Sequence, residues 1–156
     1  MIRVLFVCLG NICRSPMAEA VFRQMVKEEK LETEIEVDSS GTGDWHVGEP
    51  PHHGTRDLLA QKQIPYDGLR ARQVTVHDWE KFDYIIAMDD QNIKDLRKLK
   101  AGNDNIVVAK LMDYVQNAGE SNVPDPYFTG DFDYTYKLVK AGCANLLTYI
   151  KVVNGL

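Results

Sequence analysis

The chain alternates short apolar runs with stretches of helical periodicity. Arg3 to Val7 contains Val4-Leu5-Phe6-Val7 without a polar break, the pattern of a strand covered on both faces. Met17 to Lys30 places Ala18, Val21, Phe22 and Met25 at i, i+3, i+4 and i+7, which predicts a helix. Ser15-Pro16 ahead of it fits a capping hydroxyl followed by proline at the first helical position. A second strand is expected at Ile35 to Asp38, followed by a loop through Gly41, Gly43, Gly48, Pro50 and Pro51. Further strands are expected at Tyr84 to Met88 and Ile106 to Ala109, with helices at about Thr55 to Lys62, Asn92 to Lys98 and Phe132 to Val152. The last helix carries Leu138, Val139, Cys143, Leu146 and Ile150 along one stripe.

Strands alternating with helices imply an α/β fold, a parallel sheet with helices on both faces. In such sheets ligands bind beyond the carboxyl ends of the strands, near the switch point of strand order. No repeat, low-complexity tract or linker divides the chain, so its 156 residues are expected to form a single domain, 1–156.

Composition narrows the chemistry. With 44% apolar and 26% charged residues the chain has the make-up of an ordinary soluble globular protein. A net charge of −5 gives no support to broad binding of nucleic acid or an anionic membrane, so any anion site must be built locally. No apolar run approaches the roughly 20 residues of a membrane span. Val4 to Val7 is too short for the apolar region of a signal peptide, and no basic stretch precedes it. Three cysteines, two of them in one loop, fit a secreted disulfide framework poorly and lead us to expect a reducing cytoplasm.

That loop is Val7-Cys8-Leu9-Gly10-Asn11-Ile12-Cys13-Arg14-Ser15, between the first strand and the first helix. Five residues separate Cys8 from Arg14, and the setting gives this spacing its meaning. A short strand-to-helix loop aims several backbone N–H groups at one point, with the positive end of a helix dipole behind them. A phosphate dianion suits that point, and a cysteine held there is driven toward the nucleophilic thiolate. Arg14 could grip two phosphate oxygens at once and stabilise their charge in the transition state. Gly10 is the residue expected to allow a positive φ or a close approach. The loop lacks the Gly-Lys-Ser/Thr ending of a nucleotide-binding Walker loop. A proton donor for the leaving oxygen is expected at Asp125, in Val123-Pro124-Asp125-Pro126-Tyr127-Phe128, where the two aromatics could wall a flat leaving group.

With these residues in view, the chain resembles the low-molecular-weight protein tyrosine phosphatases over nearly its whole length. The resemblance rests on the run from Val4 to Glu19 and on Asp125-Pro126-Tyr127, with support from Asp38-Ser39, Ala71-Arg72-Gln73-Val74 and Phe82 to Asp89. It implies a flavodoxin-like domain with a four-stranded sheet and a phosphate-binding loop after the first strand. It further implies hydrolysis of phosphotyrosine and aryl phosphates through a phosphocysteine, with Cys8 as nucleophile, Arg14 as phosphate clamp and Asp125 as general acid and base. Leu9, Gly10, Asn11, Ile12, Cys13 and Ser15 complete the loop, Ser15 hydrogen-bonding the thiolate. Ser39 and Asp89 support the loop, and Trp45, Tyr127 and Phe128 form the substrate wall. Neither metal nor cofactor is implied; the partners are phosphotyrosine-containing proteins or peptides, and inorganic phosphate is the product. Cys13 can, in relatives, form a reversible disulfide with the nucleophile.

One departure stands out. Many relatives carry a histidine in the network behind the loop, where this chain has Leu69. None of the four histidines, His46, His52, His53 and His77, is expected to be catalytic; the first three are read as solvated loop residues without metal-ligand spacing, and Cys143 as structural. Three other functions share parts of the pattern. An arsenate reductase needs further cysteines, and only Cys143 lies outside the loop. Protein-arginine phosphatases carry threonine where this chain has Ile12, whose branched apolar side chain instead suits the face of a phenyl ring. A non-catalytic phosphate-binding module would be expected to have lost Cys8 or Asp125.

Overall fold

In a computed structural model, residues 1–102 and 105–156 are described. Strands β1 (Ile2–Cys8), β2 (Ile35–Gly41), β3 (Tyr84–Ala87) and β4 (Val107–Lys110) form one parallel sheet in the order β2-β1-β3-β4. Helices α1 (Arg14–Glu28), α2 (His53–Gln61) and the long α6 (Phe132–Asn154) belong to one layer. The short α3 (Asp78–Lys81) and α4 (Asp90–Leu99) belong to the other. This is the α/β architecture expected from the sequence, with helices on both faces of a four-stranded sheet.

The apolar run in β1 explains the layering. Because side chains alternate across a strand, Val4, Phe6 and Cys8 face one core and Leu5 and Val7 the other. The first core includes Met17 and Phe22 of α1 with Leu146 and Ile150 of α6, and Phe6 meets Phe22 edge to face at 5.4 Å. The second holds Trp79 and Phe82 around α3 with Leu96 of α4. Both faces of β1 are thus sealed, which is why it could be read as a strand from sequence. Gly142 lets α6 approach the 3-10 turn Leu111–Tyr114, since a Cβ there would stand 2.4 Å from Leu111 Cγ.

Two local expectations are corrected. Helix α1 starts at Arg14 rather than Met17, and Cys13, not Ser15, occupies the N-cap, without a side-chain capping bond. The Ser15 hydroxyl is turned to other partners, described below, and Pro16 sits within the first turn, where it withholds no hydrogen bond the helix needs. Strand β2 continues three residues past Asp38, to Gly41, and this extension brings Ser39 and Gly41 beneath the loop.

Strand order reverses between β1 and β3, and the loops leaving these two neighbours define the switch point. Among the described residues, no helix is long and apolar enough to cross a membrane.

Candidate active site

Residues 9–13 wrap around the end of β1, pinned on several sides by main-chain bonds. Thr42 N–H donates to Cys8 O at 2.9 Å, Gly43 N–H to Leu9 O at 2.9 Å, and His52 N–H to Ile12 O at 2.7 Å. The Thr55 hydroxyl donates to Cys13 O at 3.1 Å. The residue with left-handed backbone is Asn11, at φ 57°, and not Gly10. Gly10 serves close approach instead, as a Cβ there would lie 3.2 Å from His46 Cδ2. Asparagine tolerates that backbone better than most residues, and its side chain secures it here.

The Asn11 side chain organises the hydroxyls beside the sulfur. Arg72 N–H donates to Asn11 Oδ1 at 2.9 Å, which assigns the amide and makes Nδ2 the donor. Nδ2 donates to Ser39 Oγ at 3.0 Å and to Ser15 Oγ at 2.7 Å. Ser39 passes its own proton to Glu19 Oε1 at 2.6 Å. Ser15, already accepting from Asn11, lies 3.0 Å from Cys8 Sγ and 3.4 Å from Ser40 O, so its one proton goes to the sulfur when Cys8 is a thiolate. Asn11 N–H also points at Cys8 Sγ, at 3.3 Å. One main-chain N–H and one hydroxyl thus lie within hydrogen-bonding reach of the sulfur.

Glu19 anchors this relay from α1. Burial raises its carboxyl pKa, while hydrogen bonds from Ser39 and Arg23 pull the other way. Arg72 anchors the opposite side, its guanidinium bonded to Asp38 and Asp78. Leu69 lies in the apolar core, and the Arg72 main chain supplies the bond to Asn11. Glu19, Arg72 and Gly41 were not singled out as site residues from sequence. Glu19 did leave a signal, a lone charge inside the apolar run Met17 to Phe22. Arg72 lies in the Ala71 to Val74 segment that supports the resemblance, but its role, like that of Gly41, depends on contacts across long separations. A Cβ on Gly41 would stand 2.8 Å from Leu9 O and 3.1 Å from Asn11 N. Gly41→Ala is therefore expected to lower stability by about 1–3 kcal/mol and to depress turnover by displacing the loop, as thermal unfolding and steady-state kinetics would register.

Arg14 is buried at the start of α1. Its Nη1 donates to Asp89 Oδ2 at 2.6 Å and to Val123 O at 3.0 Å, and Nη2 to Asp125 Oδ2 at 3.3 Å. Asp89 is itself fixed as the N-cap of α4 by a reciprocal capping box with Asn92. Arg14 Nε is buried and bonds no protein atom. Burial alone lowers the Arg14 pKa, but Cys8, Asp125 and Asp89 outweigh it and raise it above the usual value.

Asp125 arrives from the far end of the chain, on the loop entering the one-turn helix α5 (Pro126–Thr129). Its Oδ1 accepts from Tyr127 N–H at 3.0 Å, so the residue that orients the acid also presents the adjoining aromatic. Cys8, Leu9, Gly10, Ile12 and Cys13 form the floor of a pocket of about 160 Å³. Trp45, His46, Tyr127 and Phe128 wall it, and Asp125 stands at its edge. Trp45 lies across Gly43, where a Cβ would fall 2.0 Å from the indole. Trp45, Tyr127 and Phe128 are all exposed, as a wall facing incoming substrate must be.

The histidines divide. His53 is exposed, as expected, and so is His77. His46 lines the pocket and pairs with Glu49, while His52 is half-buried in an aromatic cluster, so neither is a free solvated residue. Cys13 is buried in the loop, and burial first, then the charges of Cys8 and Asp125, pushes its thiol up to about 12. Burial likewise raises the Cys143 thiol in the core. Among the described residues no group of histidines, cysteines and carboxylates has the makings of a metal site.

The fold thus brings a hydrogen-bonded cysteine on a strand-to-helix loop together with an arginine and the carboxylate of Asp125. The family model described as low molecular weight phosphotyrosine protein phosphatase matches residues 3–154, and the chain belongs to that family. It is 50% identical over 151 residues to the low molecular weight protein-tyrosine-phosphatase YfkJ of Bacillus subtilis, covering 97% of both chains. A crystal structure of YfkJ superposes with a TM-score of 0.94, covering 97% of this chain and 95% of that one. Identity to PtpA of Staphylococcus epidermidis is 47%, over 96% of this chain and 94% of the relative. A Drosophila arginine phosphatase structure is also similar, at TM-score 0.88 and 33% identity, covering 95% and 97% of the two chains. As the family implies, the protein is a phosphoric monoester hydrolase.

Proposed function

We propose that the protein is a tyrosine phosphatase, acting on phosphotyrosine-containing proteins or peptides through a phosphocysteine on Cys8. The observation that carries this reading is the convergence of the Asn11 N–H and the Ser15 hydroxyl on Cys8 Sγ, with Arg14 and Asp125 paired beside the same pocket. Substrate phosphate lies against the amides of residues 9–15, its oxygens held by Arg14. The Cys8 thiolate attacks phosphorus; the S–P bond forms as the bond to the phenolic oxygen breaks. Asp125 gives its proton to that oxygen, so the product leaves as a neutral phenol. The resulting carboxylate takes a proton from water, whose oxygen attacks phosphorus, and the S–P bond breaks to release inorganic phosphate and restore the thiolate. No step requires a metal ion or cofactor. The acting compartment would be the cytoplasm, where Cys8 stays reduced.

Likeness to an arginine phosphatase keeps phosphoarginine as a second reading. Ile12 and the aromatic wall favour phosphotyrosine, since they offer apolar surface to a phenyl ring. Turnover of p-nitrophenyl phosphate, a phosphotyrosine peptide and phosphoarginine, each with EDTA present, separates the two. We expect phosphotyrosine kcat/KM to exceed that of phosphoarginine by at least about tenfold, or 1.4 kcal/mol, and Ile12→Thr to narrow the gap. Comparable values for both substrates would overturn the assignment of substrate, and loss with EDTA would overturn the mechanism.

A further inference from the structure

The chain between β2 and α2 meets the phosphate loop at His52. Its main-chain N–H donates to Ile12 O at 2.7 Å, and its imidazole Nδ1 accepts from Gly54 N–H at 3.0 Å, capping α2. The ring stacks on Phe132 of α6, with centroids 5.3 Å and planes 18° apart. His53 stacks against it at 4.3 Å, and Tyr127 meets it edge-on at 5.9 Å. Ile12 packs with Cys13, Ala71 and Phe132, so both ends of the connection share one apolar cluster. His52 does not line the pocket, yet it joins a residue of the floor to a residue of the wall.

We propose that His52 is a positioning residue that holds Tyr127 in place, and thereby sets affinity for the aromatic part of the substrate rather than for its phosphate. The inference rests on reading the pocket as an aryl phosphate site.

The connection carries its own pH signature. Because Nδ1 accepts from a backbone N–H, the ring is neutral with its hydrogen on Nε2. Protonation would remove the acceptor and put a cation at the positive end of α2. Burial first, then His53, Arg56 and His46, lowers the His52 pKa below its ordinary value. Those three are the charged groups bearing on it from α2 and the preceding loop. Tyr127 of α5 and Phe132 of α6 face it with their rings, and the phosphate loop with the Ile12 carbonyl. A lowered folded-state value means that the neutral arrangement is complete above about pH 6.5, the unfolded value, and is lost as pH falls through the lowered one.

The test compares wild type, His52→Phe and His52→Asn, measuring kcat and KM for a phosphotyrosine peptide and the inhibition constant of inorganic phosphate between about pH 5 and 7.5. Toward the acid end the wild-type KM should rise about three- to tenfold more than the phosphate constant, the worth of an aromatic edge contact. His52→Phe keeps the ring and abolishes its titration, so that excess rise should vanish. His52→Asn keeps a capping acceptor without the ring, so KM should be raised at every pH while kcat and the phosphate constant change by less than about twofold. An unaltered acid rise in His52→Phe, or a wild-type KM in His52→Asn, would contradict the proposal. A proton NMR titration of wild type gives a readout independent of turnover and of any variant's folding. Tyr127 ring signals should move with the His52 midpoint, and signals that ignore it overturn the contact. If Tyr127 follows His52 but no aryl phosphate is turned over, the substrate assignment fails and the positioning role stands.

Discussion

Replacing Cys8 with serine is expected to reduce turnover of p-nitrophenyl phosphate by four orders of magnitude or more, at roughly the scale of other removed nucleophiles. The substitution is small, and Asn11 N–H and the Ser15 hydroxyl remain to bond the new oxygen. The loop amides and Arg14 are untouched, so phosphate binding should persist within about an order of magnitude of wild type. What is lost is the nucleophile, because a serine hydroxyl keeps its proton at neutral pH where a thiol can give it up. Cys13 cannot take over. Burial, the largest cause of its raised pKa, and the charge of Asp125 remain when the Cys8 charge is gone, and they still hold its thiol above the ordinary value. Circular dichroism, inorganic phosphate titration and initial rates on the same preparation would show an intact, binding, inactive protein. Retained turnover in Cys8→Ser would remove the nucleophile assignment.

The second large effect is expected at Arg14. Arg14→Lys keeps a cation beside the half-buried Asp89 and Asp125, so neither carboxylate is left alone and the fold should survive. The ammonium cannot reproduce the planar fork. With Nη1 engaged by Asp89 and Val123, arginine still offers Nε and the second Nη2 hydrogen to the phosphate. Charge on those oxygens is what the transition state redistributes, and losing one such donor typically costs about 2.7–4 kcal/mol. Arg14→Lys should therefore lower kcat by roughly 10²–10³-fold or more while leaving the unfolding temperature within a few degrees of wild type. A thermal unfolding curve alongside kcat separates this from a folding defect; a large loss of stability with proportionate loss of activity would refute the assigned role.

Much of this site could be read from the chain because its parts are local. β1, the loop and α1 are contiguous, and an unbroken apolar run followed by a helical stripe is a strong pattern. Asp125 was legible for a different reason, as an acid between two prolines with aromatics beside it. The errors lie where tertiary contacts overrule local rules. Ser15 has the sequence position of a helix cap, but Asn11 and Cys8 claim its hydroxyl. Of the two roles offered for Gly10, close approach holds, while the positive φ falls on Asn11, whose side chain Arg72 N–H, Ser39 and Ser15 hold in that conformation. Helices α3 and α5 each have four residues, too few to print a period. His52 looked like a polar loop residue, since nothing local announces that Phe132, eighty positions on, will stack against it.

The most direct test of the account is to trap the intermediate. Asp125→Ala, mixed with excess p-nitrophenyl phosphate and quenched in acid within the first turnover, should yield a peptide carrying Cys8 heavier by one phosphoryl group, absent from Cys8→Ser and from unreacted protein. The same sample should release its p-nitrophenol in a burst, because a leaving group this acidic departs with little help from Asp125, whereas hydrolysis of the phosphocysteine depends on it. A phosphoryl group found on any other residue, or stoichiometric p-nitrophenol release with no phosphorylated peptide in a trap shown to preserve phosphocysteine, would contradict covalent catalysis by Cys8.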